Sequence, residues 1–189
     1  MPALKVAVEA SQRSGQSFKV ITATLDASNL AQVDAAVAKV KTASGRLDIL
    51  VNNAGYLGAY GLVQGDSDPQ EAWKAWSVNV LGAYAVTRAF LPLLLESVDK
   101  IIVNIGSLAG LAKTPNLLAH LVRFTWNFQQ LLMTECGEKG IVAHFVYPGV
   151  IETDMANQVP EVKVGGFGII DPPKLLAHAL VWLVRERQE

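Results

Sequence analysis

The chain has 189 residues, of which 51% are hydrophobic and 17% charged, and its formal net charge is −1. This length suits one domain, 1–189, whose core needs neither disulfides nor a structural metal. A balanced charge without a basic run argues against a nucleic-acid or anionic-membrane partner, and no apolar run reaches the length of a membrane span. The low charge content indicates either surface hidden in a homo-oligomer or a core that lacks its outer pieces. A single cysteine fits a reducing, cytoplasmic location.

The hydrophobic pattern alternates between strand-like and helix-like segments along the chain. It predicts five helices, over Leu4 to Ser11, Asn29 to Thr42, Asp68 to about Glu96, about Asn116 to Glu138, and Pro172 to Arg187. Between them it predicts four strands, over Phe18 to Leu25, Leu47 to Val51, Lys100 to Ile105, and Ile141 to Val146. Gly45 is the expected C-cap of the second helix, and Pro92 is expected to kink the third.

Short apolar strands that alternate with helices are typical of an α/β fold, a parallel sheet with helices on both faces. In such sheets ligands bind beyond the carboxyl ends of the strands. Three segments of this sequence follow predicted strands and lie at those ends: Asn52 to Gly55, Ser107, and Pro148 to Thr153. Together they predict a pocket for a small-molecule substrate.

The segments at the strand ends carry family motifs. Asn52-Asn53-Ala54-Gly55 resembles the Asn-Asn-Ala-Gly turn that follows the fourth strand of short-chain dehydrogenases/reductases, and Asn79 to Gly82 resembles their Asn-x-x-Gly motif. Ser107 matches the serine that closes the fifth strand. Pro148-Gly149 with Thr153 matches the Pro-Gly-x-x-x-Thr segment after the sixth. The resemblance extends over nearly the whole chain.

The resemblance implies a Rossmann-like parallel sheet and carbonyl/alcohol oxidoreductase descent with NAD(P) as cofactor. The positions it assigns to the cofactor are Asp26, which matches an adenine-contacting aspartate, and Asn52, Asn53, Ala54, Gly55, Pro148, Gly149 and Thr153. The positions it assigns to catalysis are Asn79, Ser107 and His120. No metal is implied.

Two departures from the family concern the chemistry itself. The family's tyrosine proton donor lies thirteen residues after the serine, where this chain has His120, and its lysine lies four residues later, where this chain has Phe124. Arg123 is one residue out of register, about 100° around the helix from the position of the lysine. The acid and the cation that lowers its pKa are therefore both replaced.

The ends of the chain also depart from the family pattern. Relative to the family, the sequence lacks the first two strands and the last strand, and it contains no Gly-x-x-x-Gly-x-Gly turn to hold the cofactor pyrophosphate. NAD(P) binding by this chain is therefore not expected. Phe18 to Leu25 would have lost its neighbours, so we expect it to pair with Leu47 to Val51 or with another chain.

Three functions stay open at this point. The first is a degenerate family member without redox activity. The second is a non-redox enzyme, such as a dehydratase, isomerase or cyclase, that uses His120 and Ser107. A histidine has a suitable intrinsic pKa, but a packing role for His120 among Leu117, Leu121 and Phe124 is favoured over a catalytic one. The third is a non-catalytic interaction module. Ser107 either orients a carbonyl or caps a loop, and Thr153 either contacts a nicotinamide or caps a helix.

Overall fold

The computed structural model describes residues 20–58, 68–107, 123–158 and 170–185. Its helices are α1 (Leu30–Ser44), α2 (Pro69–Trp76), α3 (Ala83–Leu95), α4 (Arg123–Cys136) and α5 (Pro173–Arg185), with a π-helical turn at Ser77–Gly82 and short 3₁₀ turns at Gly137–Lys139 and Ala156–Gln158. Its strands are β1 (Ile49–Asn52), β2 (Ile101–Ile105), β3 (Val142–Val146), β4 (Val150–Ile151) and β5 (Ile170–Asp171). The predicted helix over Leu4 to Ser11 lies outside the described residues.

The described core is a three-stranded parallel sheet in the order β1-β2-β3. Leu50, Ile102 and Ala143 lie on adjacent strands and pack in one hydrophobic cluster with residues of α1, α3 and α4. The α/β class, the parallel sheet and the alternation of strands with helices predicted from the sequence are confirmed. A second, two-stranded parallel sheet of β4 and β5 was not predicted.

The predicted strand over Phe18 to Leu25 is wrong within the described part of that segment. Val20 to Leu25 has no strand structure, and Val20, Ile21 and Leu25 are each 37–40% exposed. β-Branched residues favour a strand only when a neighbour supplies hydrogen bonds and a packing surface, and no described strand lies beside this segment. Its expected pairing with Leu47 to Val51 is likewise not seen.

One long helical stretch runs from Pro69 to Leu95. Asp68, where the sequence predicts this helix to begin, caps it by accepting a hydrogen bond from the backbone N–H of Gln70 (2.9 Å), and Pro69 occupies the first turn. Pro92 lies within α3, but the change in helical geometry occurs earlier, at the π-helical turn that contains Asn79. The π-helical turn that interrupts the α-helical stretch therefore contains Asn79, a candidate site residue.

By length and composition this stretch is apolar enough to cross a membrane, which the short apolar runs of the sequence did not indicate. Its apolar residues have another explanation, because Phe90, Leu93 and Leu94 are buried in the core against the sheet. An apolar stripe of this kind is what a helix covering a sheet requires.

Candidate functional site

The turn after β1 begins with a buried polar network. The side-chain amide of Asn52 donates to Thr87 Oγ1 and to Asn104 Oδ1, both at 2.8 Å. Thr87 on α3 and Asn104 on β2 are each 1% exposed. Asn52 thereby ties together β1, its neighbouring strand and the helix above them, while the next three residues, Asn53 to Gly55, are exposed.

Asn79 holds the same turn from the other side. Its Oδ1 accepts a hydrogen bond from the backbone N–H of Tyr56, and its Nδ2 donates to the carbonyl oxygen of Tyr56, both at 2.8 Å. Asparagine is unfavourable inside a helix because its side chain competes for backbone groups, and here it sits in the π-helical turn. The side chain of Asn79 is therefore a clamp on the chain that follows Gly55.

The three segments that the sequence places at the strand ends share one edge of the sheet. Asn52 lies opposite Asn104, which lies opposite Phe145, so the turn after β1, Ser107 after β2 and the chain after β3 leave the sheet side by side. The Cε of Met155 lies 3.8 Å from the position that a Cβ on Gly55 would take. The structure thus brings the first segment close to Met155, two residues beyond the third segment.

Gly149 and Thr153 have local structural roles in the segment after β3. Gly149 has φ +78°, and a Cβ there would lie 2.9 Å from the carboxylate oxygen Oδ2 of Asp171. The Thr153 hydroxyl accepts a hydrogen bond from the backbone N–H of Ala156 (3.1 Å) at the start of a 3₁₀ turn. In this geometry the Thr153 hydroxyl makes a helix cap, one of its two predicted roles.

Asp26 lies in the turn that precedes α1. Its Oδ1 accepts hydrogen bonds from the backbone N–H (2.9 Å) and the hydroxyl (2.7 Å) of Ser28, and these bonds lower the pKa of the Asp26 carboxyl. The neighbouring Ala27 packs against Gly82, where an added Cβ would come within 2.9 Å of the Ala27 Cβ. The carboxylate predicted to contact adenine therefore closes a local turn.

On α4, the position of the family's lysine is part of an aromatic stack. Phe124 stacks on Phe128 with ring centroids 6.1 Å apart and planes 9° apart, and Phe128 meets Tyr84 edge-on at 5.7 Å. Phe124 is 42% exposed. His120 lies in the stretch 108–122, outside the described residues.

Two groups of residues near the turn escaped sequence reasoning. Asn104 is polar in the otherwise apolar strand Ile101–Ile105, which was a readable signal for a buried network. Tyr56 had no such signal: its hydroxyl donates to Glu71 Oε2 at 2.5 Å, and Lys74 Nζ lies 4.6 Å from its ring centroid. The hydrogen bond with Tyr56, followed by the charge of Glu71, raises the pKa of Lys74.

The resemblance implies NAD(P), and the described residues fit that group only in part. The exposed turn over Asn53 to Gly55 has backbone groups beside the strand ends that a cofactor could contact, but the side chain of Met155 lies close to Gly55. The position that should hold the ribose with a cation has the apolar ring of Phe124, and the carboxylate of Asp171 lies against Gly149.

Comparison with known proteins identifies the family. Residues 2–163 match a family profile described as "short chain dehydrogenase". The short chain dehydrogenase andI of Emericella variicolor is 35% identical over an alignment 189 positions long, gaps included, which covers 96% of this chain and 63% of that protein. The chain thus spans less than two thirds of that relative's length.

Solved structures agree on the fold. Levodione reductase superimposes with a TM-score of 0.81 at 23% identity, covering 96% of this chain and 76% of that chain. The structure of ElxO with NADP bound superimposes with a TM-score of 0.67 at 29% identity, covering 84% and 62%. The sheet order, the motif-bearing turns at its carboxyl edge and these matches lead to one conclusion: the chain belongs to the short chain dehydrogenase family, whose cofactor is NAD(P).

Proposed function

We propose that this chain is a family member of NAD(P)-dependent carbonyl/alcohol oxidoreductase descent that has no redox turnover as a 189-residue polypeptide. The observation that supports this most directly is the aromatic stack at Phe124. A cytoplasmic location and a small-molecule ligand at the strand ends belong to the same proposal.

Carbonyl reduction needs a proton donor with a pKa near the working pH and a neighbouring cation that lowers that pKa. A stacked phenylalanine has no charge and no hydrogen-bonding group, so it supplies neither the electrostatic effect nor a contact to a ribose hydroxyl. The tyrosine that donates the proton in the family is also replaced, by His120, and loss of a positioned acid or base costs about 10²–10⁴-fold in rate. The proposed loss of turnover therefore rests on the missing cation together with the replaced tyrosine.

Binding of the hydride source by the 189-residue polypeptide is expected to be weak for a separate reason. The sequence has no Gly-x-x-x-Gly-x-Gly turn, and such turns bind pyrophosphate through backbone N–H groups at a helix N-terminus. Asp26, which could contact adenine, has its carboxylate bound by Ser28. Replacement of the tyrosine–lysine pair and the absence of the glycine-rich turn from this 189-residue polypeptide account for the proposed inactivity.

The non-redox alternative relies on His120 and Ser107. Ser107 follows β2 at the shared edge of the sheet, whereas the side chain of His120 lies outside the described residues. If this alternative holds, His120→Ala abolishes a cofactor-free turnover of hydroxy-ketone substrates whose pH profile bends near a histidine pKa of about 6–7. An unchanged turnover in that variant removes the alternative.

The proposal is tested by restoring the missing pair. We expect the double variant His120→Tyr with Phe124→Lys, like the wild type and each single variant, to show no NADH- or NADPH-dependent reduction of a panel of ketones. The double variant regains an acid and a cation but still lacks a site for the pyrophosphate. Reductase activity in the wild type contradicts the proposal outright. Activity in the double variant alone contradicts the part that concerns cofactor binding.

A further inference from the structure

The Asn-x-x-Gly motif, Asn79 to Gly82, lies entirely within the π-helical turn Ser77–Gly82. A π-helical turn holds more residues than an α-helical one, and single turns of this kind inside α-helices are frequent at functional sites. The proposed function assigns no role to this turn. Both named residues of the motif nevertheless make close contacts to other parts of the chain, one to the turn after β1 and the other to the turn before α1.

Asn79 holds the turn after β1. Its side chain accepts a hydrogen bond from the backbone N–H of Tyr56 and donates one to the Tyr56 carbonyl oxygen, both at 2.8 Å. Gly55 lies beside the same side chain, because a Cβ on this glycine would be 3.7 Å from Asn79 Oδ1. A rotation of the helix at Asn79 therefore either moves the turn after β1 or breaks these hydrogen bonds.

Gly82 holds the turn that precedes α1. A Cβ on Gly82 would lie 2.9 Å from the Cβ of Ala27 and 3.4 Å from its carbonyl carbon and oxygen, so the helix backbone lies directly against this residue. Ala27 cannot move alone, because Asp26 beside it accepts hydrogen bonds from Ser28 and from the backbone N–H of Asn29 (2.9 Å). A displacement of Ala27 therefore disturbs the whole turn and the start of α1.

We propose that the π-helical turn couples these two turns, so that a displacement of either one is transmitted to the other. The π-helical and α-helical arrangements differ by one residue per turn, which corresponds to about 100° of rotation. The stretch thus has two discrete arrangements, and loss of the π-helical one changes the orientation of Asn79 relative to Gly82. The contacts of the two residues therefore persist or break together. This coupling does not depend on the proposed loss of redox activity.

Amide hydrogen exchange on the unliganded chain tests the coupling. Ala27→Val enlarges the side chain that faces Gly82, at a position outside the helix. We expect exchange at the Tyr56 amide to become about tenfold faster. The amide of Ile102, in the buried strand β2, reports global unfolding and should accelerate less. Gly82→Ala makes the same collision from the helix side and should give the same result.

The reciprocal variant is Asn79→Ala. It removes the contacts to Tyr56, and we expect faster exchange at the Asn29 amide in the other turn as well. Gly137→Ala is the matched control for a glycine replaced by alanine, because a Cβ there would meet nothing within 4 Å. It should leave exchange at both amides unchanged.

An unchanged Tyr56 amide in Ala27→Val and Gly82→Ala overturns the proposal, as does an acceleration no greater than that of the Ile102 amide. Asn29 exchange that is unaffected by Asn79→Ala also contradicts it, because coupling between two sites acts in both directions. Circular dichroism shows whether each variant is folded. The two variants at the Ala27 contact approach it from opposite sides, so either one decides the outcome if the other does not fold.

Discussion

The turn after β1 and the first turns of α4 are two sides of the region that the family uses for catalysis, and they have diverged differently. At the turn, Asn52 and Asn79 match the family motifs, and both have buried or backbone hydrogen bonds that hold the fold together. On α4, Phe124 does not match, and its ring serves only packing. The contacts of these motif residues therefore explain how the fold is held together and give less information about the reaction.

The largest effect is expected at the buried network under the turn. Asn104→Ala leaves the partly buried amide of Asn52 without one of its two acceptors. We expect a loss of about 2–3 kcal/mol in the free energy of unfolding, measured by urea denaturation. The control Asn53→Ala, at the exposed neighbouring asparagine, should change it by less than about 0.5 kcal/mol. Equal losses in the two variants would show that the network does not stabilise the turn.

The next effect concerns the clamp on Tyr56. Asn79→Ala removes both hydrogen bonds to the Tyr56 backbone and should cost about 1–2 kcal/mol, with faster hydrogen exchange at the Tyr56 amide. Asn79→Asp keeps the acceptor but sets a carboxylate against the Tyr56 carbonyl, so it should not restore stability. Ser77→Ala, in the same π-helical turn, is the control, because its hydroxyl bonds only to its own helix. Exchange at Tyr56 that is unchanged in Asn79→Ala would refute the clamp.

A smaller effect is expected on the other side, at α4. Phe124→Lys breaks the stack on Phe128, but the ring is 42% exposed, so the loss should be about 1 kcal/mol in thermal or urea unfolding. Phe124→Tyr keeps the stack and is expected to behave like the wild type. If the lysine variant were more stable than the wild type, the aromatic ring would not be serving a packing role.

The smallest effect depends on pH and lies just before β1. Ser97 donates a hydrogen bond to the Asp48 carboxylate, and this bond, with the nearby Arg46, lowers the pKa of Asp48. A lowered folded-state pKa stabilises the protein above the ordinary carboxyl pKa of about 4, and the stabilisation disappears as the pH falls through the folded value.

Ser97→Ala should therefore cost about 0.5–1 kcal/mol at pH 7 and less at pH 3, as measured by urea denaturation at both values. The carboxylate is partly exposed, which keeps the effect small. A cost that grows towards acid pH would contradict the assignment of the shift to this bond.

The sequence predicted the parts of the fold whose signals are local. Asn29 accepts from Gln32 at the start of α1, Gly45 ends that helix with φ 75°, and Asp68 caps α2, all from residue chemistry within a turn. The pattern also placed β1, β2 and β3 to within about two residues. Val20 to Leu25 was predicted wrongly because strand structure depends on a partner that local pattern cannot supply.

For the candidate site, the sequence located the edge of the sheet but not the contacts. The motifs led to Asn52, Asn79 and Gly149, whereas their partners Thr87, Tyr56 and Asp171 come from distant positions in the chain. Long-range pairs of this kind leave no periodic signal. The predicted cofactor roles of Asp26 and Thr153 rest on resemblance, while the hydrogen bonds described for them close a local turn and cap a 3₁₀ turn, respectively.

The most direct test of the central claim is cofactor binding by the wild-type chain. A ligand present at 100 times its dissociation constant adds about 2.7 kcal/mol to stability, which a thermal shift assay detects easily. With a phenylalanine in place of the ribose-binding cation and no glycine-rich turn, NADH and NADPH at millimolar concentration should leave the melting temperature unchanged. A saturable rise with a midpoint in the micromolar range would contradict the account.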